Sequence, residues 1–365
     1  MQLSVVILNY NVRYFLELCL KSVEASITDL DAEIIVVDNH SSDESCKMVK
    51  KLFPNVILIE NKVNYGFSKG NNIGVAKAKG EYVCILNPDT VVAEDTFKTL
   101  LNFAGSMPRM GIVGCKLIDG KGRFLPESKR NVPTPLISIK KILGNTNSYY
   151  ANHLGEDEIG EVSILVGAFM LLKRNIYDEL NGFDEDYFMY GDDMDFSYRV
   201  TKAGYQNYYN PSTTILHFKG ESTLKDKVYA KRFNGAMQVF FKKHFKPNAF
   251  YKAVIWLGIK SIILFNPQPK QKKTIIDSYV LLSDKMNESL QSKLDKPVYL
   301  YSEAPNLTDR QQFIFDTQLF PFKNSIDFIV KSSNAANVTY KFYIKDSQFI
   351  IGSNSSISRG EVIKF

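Results

Sequence analysis

Apolar runs that stop abruptly in short polar clusters recur through the first quarter of the chain. Ser4-Val5-Val6-Ile7-Leu8 runs into Asn9-Tyr10-Asn11, Glu33-Ile34-Ile35-Val36-Val37 into Asp38-Asn39, and Tyr82-Val83-Cys84-Ile85-Leu86 into Asn87-Pro88-Asp89. A weaker run at 56–59 is followed by Asn64-Tyr65-Gly66-Phe67 and then Gly70-Asn71-Asn72. Continuous runs of this length and β-branched content read as buried strands. Residues 13–25 carry a helical pattern, and Ser41 with Glu44 has the spacing of a capping box, which predicts a second helix from there to about residue 51. Strands alternating with helices imply right-handed βαβ units and a parallel sheet. Asn9, Asp38, Asn64 and Asp89 are therefore expected along one rim, where an open α/β sheet presents chemistry to a ligand.

The second half has a different texture. Residues 163–172 are apolar with a small-residue break at Gly167-Ala168, read as a buried strand whose break is either a structural kink or a place for close ligand approach. Residues 182–196 then pack Asp184, Glu185, Asp186, Asp192, Asp193 and Asp195 among aromatics, and acids so crowded must be solvated, paired or working. From 225 to 265 Lys and Arg mix with Phe233, Phe240, Phe241, Phe245 and Trp256. Its most apolar part, 253–265, is interrupted by Lys260 and falls short of the roughly 20 residues a bilayer-spanning helix needs. This segment reads equally as interfacial helices or as helices packed on the sheet. Residues 266–273 read as a linker. A helix is predicted at 274–293, and strands at 298–301, 326–330, 340–344 and 349–351.

Taken in order, Asn9-Tyr10-Asn11, Asp38-Asn39, Asn64-x-Gly66-Phe67-x-x-Gly70-Asn71-Asn72 and Asn87-Pro88-Asp89 resemble the family 2 inverting glycosyltransferases, and within them the rhamnosyltransferase-like branch. The likeness spans roughly residues 1–245. It implies the GT-A fold, a Rossmann-like mixed sheet flanked by helices, with a nucleotide-sugar bound over the first half of the sheet by Asn9, Tyr10, Asn11, Asp38, Asn39, Asn64, Gly66, Phe67, Asn71, Asn72 and Asn87. Gly167 and Ala168 are expected to wall the acceptor or the diphosphate. Asp89 matches the carboxylate of the family's Asp-x-Asp motif, whose first Asp is replaced here by Asn87, and is expected on a divalent cation, Mg²⁺ or Mn²⁺. His217 resembles a late His that reaches the same metal; on its own it reads as a satisfied imidazole. Asp192-Asp193-Met194-Asp195 is similar to the family's Glu-Asp-x-Asp segment, which implies Asp193 as the catalytic base; helical spacing turns Asp192 and Asp195 to another side, so Asp192 stands in reserve and Asp195 is expected to be structural. Lys129 and Arg130 read first as a solvated basic turn and second as partners of the diphosphate.

These expectations describe an inverting transfer of a sugar, rhamnose from dTDP-rhamnose, onto a glycan or lipid-linked acceptor during surface polysaccharide synthesis. A UDP-linked hexose or galactofuranose on the same fold is an alternative. A non-catalytic glycan- or nucleotide-binding protein is another, although Asp89, Asp193 and His217 are all present. The expected organisation is a catalytic domain at 1–224, with donor and acceptor halves at 1–116 and 117–224, a basic helical segment and linker at 225–269, and an accessory α/β module at 270–365.

Composition narrows the classes. The 365 residues are 45% hydrophobic, enough for a substantial core. The four cysteines form no C-x-x-C pair, which argues against a zinc site and a disulfide framework. Net charge +6 comes with no nucleic-acid signature, so that partner class is set aside. Met1-Gln2 leads directly into the first strand, and a cytoplasmic location is expected, with contact to the inner face of the plasma membrane left open.

Overall fold

The computed structural model describes residues 1–219, 227–245, 274–335, 337–355 and 359–365. The chain opens as β1 (Leu3–Asn9), α1 (Arg13–Ser26), β2 (Ala32–Asp38), α2 (Ser45–Leu52), β3 (Ile57–Glu60), α3 (Gly66–Val75), β4 (Tyr82–Leu86), β5 (Thr90–Val91), α4 (Thr96–Ser106) and β6 (Met110–Ile118). It continues through α5 (Pro135–Ile142), β7 (Gly160–Glu161), β8 (Phe169–Lys173), α6 (Arg174–Glu179), α7 (Asp192–Lys202), β9 (Gln206–His217) and α8 (Lys227–His244). The nine strands form one mixed sheet in the order β3-β2-β1-β4-β8-β6-β9-β5, with β7 paired to β9. The first four are mutually parallel, while β8 runs antiparallel to both β4 and β6.

Alternation along β1 decides which helices cover which face. Val5 and Ile7 pack with Leu16, Leu20, Phe97 and Leu100 of α1 and α4, whereas Val6 packs with Val75, Ile176 and Phe196 of α3, α6 and α7. A strand covered on both sides has no polar face, which is why its sequence is an unbroken apolar run.

Two local expectations change. The predicted helix at Ser41 begins instead at Ser45. Ser41 cannot cap it because its hydroxyl is taken by Asn9 and the Asn11 amide, and Glu44 adopts a left-handed conformation with φ 67°. Residues 163–168 are not strand; only Phe169–Lys173 is, leaving Gly167 and Ala168 in the approach to β8.

The C-terminal part forms a second sheet: β10 (Ser278–Leu282), α9 (Glu288–Lys293), β11 (Val298–Tyr301), β12 (Gln311–Asp316), α10 (Phe322–Lys331), β13 (Thr339–Ile344), β14 (Phe349–Gly352) and β15 (Glu361–Lys364). Its order is β11-β10-β12-β13-β14-β15. Most of the helix predicted at 274–293 is replaced by β10 and a turn, since Tyr279-Val280-Leu281-Leu282 is buried throughout as a strand. The strand predicted at 326–330 lies inside α10, where Phe322, Ile326 and Ile329 share one buried helical face.

The two sheets share a core. Phe15 and Leu18 of α1, Val91 and Leu216, and Phe218 just after β9 pack in one cluster with Val280, Phe315, Phe322, Ile329 and Phe342. Polar contacts reinforce it: the Glu94 carboxylate accepts from the Phe322 and Lys323 amides at 2.7 Å each, capping α10 from the other sheet.

Candidate active site

The polar cluster at the first strand ends is knitted from side chain to backbone. Asn9 donates to Asp38 Oδ1 at 2.7 Å, and Asp38 Oδ2 accepts from the Ser41 amide at 2.7 Å. Asn11, with φ 56°, accepts from the Ser42 amide, and Tyr10 beside it is 39% exposed. Asn39 donates to the carbonyl of Gly66 at 2.9 Å and to Asn64 Oδ1, which itself accepts from the Gly66 amide. This network orders the start of α3. Gly66 has φ 79°, and a Cβ there would meet the Phe188 carbonyl oxygen at 2.2 Å; the Phe67 amide donates to the same carbonyl at 2.7 Å. The Asn71 and Asn72 amides serve different ends. Asn71 donates to the Phe67 carbonyl, and among the described residues its buried Oδ1 has no partner, whereas Asn72 is committed to Tyr177, Phe183 and Glu185.

The end of β4 meets the end of β9. Pairing of β5 with β9 sets His217 opposite Thr90, and the Phe218 amide donates to the Asp89 carbonyl, so His217 is carried next to the Asp89 carboxylate. His217 Nε2 lies 3.3 Å from Asp89 Oδ1 and 3.4 Å from Asn87 Nδ2, and all three side chains border the same point. Asp89 is 4% and His217 6% exposed, and among the described residues the buried His217 Nδ1 has no hydrogen-bond partner. A carboxylate oxygen and an imidazole nitrogen are ligands Mn²⁺ accepts, and Mg²⁺ or Mn²⁺ at phosphates ordinarily takes its other ligands from phosphate oxygens and water. Among the described residues no three His, Cys, Asp or Glu side chains gather to hold a metal unaided. The donor set thus fits a cation shared with a bound anion.

The acidic segment is placed by a different device. Gly191, with φ 76°, opens α7, so Asp192 and Asp193 sit in its first turn, where carboxylates are favoured. Asp193 is 8% exposed; its Oδ2 accepts from Arg130 Nη2 at 2.6 Å and from the Gly167 amide at 3.1 Å, and its Oδ1 from the Met194 amide. Asp192 accepts from the Asp193 amide at 2.8 Å. Burial, with the neighbouring Asp193 charge behind it, pushes the Asp192 carboxyl up to about 8. Asp195 points into structure, held by Arg199 at 2.6 Å and His244 at 2.7 Å.

Gly167 and Ala168 join the two centres. The Gly167 amide reaches Asp193, while the Ala168 carbonyl accepts from the Asn87 amide at 3.0 Å. A Cβ on Gly167 would lie 3.2 Å from Phe67 Cζ and 3.4 Å from Asp193 Cβ, so the glycine lets three elements converge.

The basic pair is not a solvated turn. Lys129 and Arg130 are 4% and 6% exposed; Lys129 Nζ is consumed by the carbonyls of Ala151 and Leu154. Burial works against the Arg130 charge, but Asp193 and Tyr149 more than restore it. The only sequence signal for Arg130 was its place in a long loop, which does not reveal that a bridge to Ile164 turns the loop inward.

Comparison with known proteins now bears on this geometry. The model of "Glycosyl transferase family 2" matches residues 4–180. The N-acetylglucosaminyl-diphospho-decaprenol L-rhamnosyltransferase of Mycobacterium tuberculosis is 30% identical over 243 residues, covering 61% of this chain and 78% of that protein. The chain belongs to glycosyltransferase family 2. It is an enzyme of that family with the α/β GT-A architecture, as the order of its motifs implies. The rhamnosyltransferase WbbL of Escherichia coli is 26% identical over 59% of this chain and 82% of its own. A mannosyltransferase of Pyrobaculum calidifontis, solved with GDP-Man and Mn²⁺, aligns with TM-score 0.48 at 18% identity over 72% of this chain and 70% of its own.

Proposed function

We propose that this glycosyltransferase transfers rhamnose from dTDP-rhamnose, with inversion, to a lipid-linked glycan acceptor used in surface polysaccharide synthesis. The observation that carries the reading is the Gly167-Ala168 segment, which hydrogen-bonds Asp193 on one side and Asn87 on the other. It sets a carboxylate and the Asn87–Asp89–His217 cluster on either side of one short backbone span. In this reading Asp193 takes the proton of the acceptor hydroxyl as that oxygen bonds to the anomeric carbon. The bond from that carbon to the diphosphate breaks on the opposite face. Of the roughly four acceptor sites of its carboxylate, Asp193 uses three, two on Oδ2 and one on Oδ1, which leaves one on Oδ1 for the proton, and Arg130 fixes its orientation. Asp38, Asn39 and Asn64 would hold the nucleotide, with Asn9, Asn71 and Asn87 nearer the sugar and diphosphate. Asp89 and His217 would hold Mg²⁺ or Mn²⁺, whose charge would offset that developing on the leaving diphosphate. The names of the Mycobacterium and Escherichia relatives support the sugar, and the first supports the lipid-linked acceptor.

The test is donor binding and hydrolysis across dTDP-, UDP- and GDP-sugars with Mn²⁺, Mg²⁺ or EDTA, for the wild type and Asp89→Ala. Metal-dependent recognition of dTDP-rhamnose, lost in the variant, is the expected result. Preference for a UDP-sugar would replace the donor, and recognition of none with or without acceptor would remove the catalytic reading.

A further inference from the structure

Helix α5 leaves large apolar side chains exposed on its outer face. Leu136, Ile139, Lys140 and Leu143, just past its end, follow an i, i+3, i+4, i+7 spacing and so share one face. Leu136 is 55% and Leu143 79% exposed, Lys140 is exposed and Ile139 is half-buried. The opposite side is the anchored one, with Lys141 Nζ 3.2 Å from the Tyr149 ring centroid and 6.0 Å from that of Phe233 on α8. A helix normally buries its apolar stripe, and here the stripe faces away from the protein.

Charge distinguishes the surroundings. Residues 128–155 contain no Asp or Glu, and neither do residues 227–245, which carry five Lys and Arg. Lys231, Arg232 and Lys242 of α8 are exposed. Arg232 also lies over the Phe188 ring, itself 44% exposed and packed on Gly66. Apolar surface on α5 and exposed Lys231, Arg232 and Lys242 on α8 therefore lie on two contacting elements next to the loop that delivers Arg130 to Asp193, while Lys243 of α8 is paired with Asp184 and Asp186. Among the described residues no helix is long and apolar enough to cross a membrane.

We propose that the outer face of α5, with the basic face of α8, seats the enzyme on an anionic lipid bilayer, leucines in the interface and lysines and arginines among the headgroups. The inference rests on the reading of the acceptor as lipid-linked, and it explains how a site on a protein surface meets such a substrate. A partly inserted apolar stripe supported by basic residues is the physical recipe for interfacial binding.

The full-length chain is tested by flotation with vesicles of phosphatidylglycerol and phosphatidylethanolamine, against vesicles of phosphatidylcholine. Wild type is expected to float with the anionic vesicles. The double variant Leu136→Glu/Leu143→Glu is expected to lose roughly tenfold or more in partitioning, and Lys140→Glu less, in a manner that salt reduces. Hydrolysis of soluble nucleotide-sugar is measured on the same samples and should be unchanged in all three. Failure of wild type to float, or undiminished flotation of the double variant, overturns the proposal. So does conversion of a dimer to a monomer by the leucine substitutions without vesicle binding, which would make the face a contact between copies. Absent hydrolysis of every donor with intact flotation would instead count against the assigned reaction and leave the docking face standing.

Discussion

Both sheets are built around parallel strands with polar residues at the carboxyl ends, yet they treat those residues in opposite ways. In the C-terminal sheet both carboxylate oxygens of the buried Asp316 are engaged: Oδ1 accepts from the Gln318 amide at 3.0 Å and Oδ2 from Ser283 Oγ at 2.7 Å. At the N-terminal sheet Asn9 Oδ1, Asn71 Oδ1 and His217 Nδ1 are buried and have no partner among the described residues. Leaving such atoms unpaired costs stability, and these three are the atoms that the ligand proposed above would have to satisfy. The same strand-end chemistry closes a turn in one sheet and leaves buried polar atoms unengaged in the other.

The comparison breaks most visibly at Asp193. Asp193→Asn should fold with unchanged circular dichroism and lose transfer by about 10²–10⁴-fold, the usual worth of a positioned base; near-normal turnover would take Asp193 out of the mechanism. His217→Ala should weaken the Mn²⁺ titration of donor binding by roughly 10–100-fold, in the range of changes around metal ligands. An unchanged titration would return His217 to a packing role. Asp316→Ala sharpens the contrast from the other side: it should cost about 1–3 kcal/mol in denaturant unfolding, by orphaning Ser283 and the Gln318 amide, with no change in donor affinity.

The smallest effect concerns pH. Asp192 has a folded-state pKa near 8, above its unfolded value, so its contribution to stability is complete below the unfolded pKa of about 4 and is lost as pH rises through 8. Thermal unfolding of wild type should shift down by a few °C between about pH 7 and 9, and Asp192→Asn should flatten that slope. An identical slope in the variant would assign the drift to other groups.

How much of this was legible follows from what each signal depends on. Asn9, Asp38 and Asp89 could be placed at one rim because apolar runs and βαβ chirality fix strand ends without any knowledge of packing. Arg130 could not, since its role depends on a loop folding inward to meet α7, a contact 63 residues distant in sequence. Helix α10 reads as a strand at 326–330 because the four apolar residues of that short window fit either period, and Phe322 outside it reveals the helical stripe. Asn72 looked like its neighbour Asn71 in the motif, but helix geometry turns it toward Tyr177 and Phe183.

The aromatic core shared by the two sheets carries a consequence for anyone who would shorten or recombine this enzyme. A chain cut near residue 245 would present Phe15, Leu18 and Phe218 to water as an oily wall, a template for aggregation rather than a tidy boundary. A chimera that borrows the catalytic half must either bring the second sheet with it or repaint that wall with polar residues. The same holds across evolution: a relative with no counterpart to the second sheet must have resurfaced α1 and the end of β9, which makes those positions a tracer for where this appendage was gained or shed.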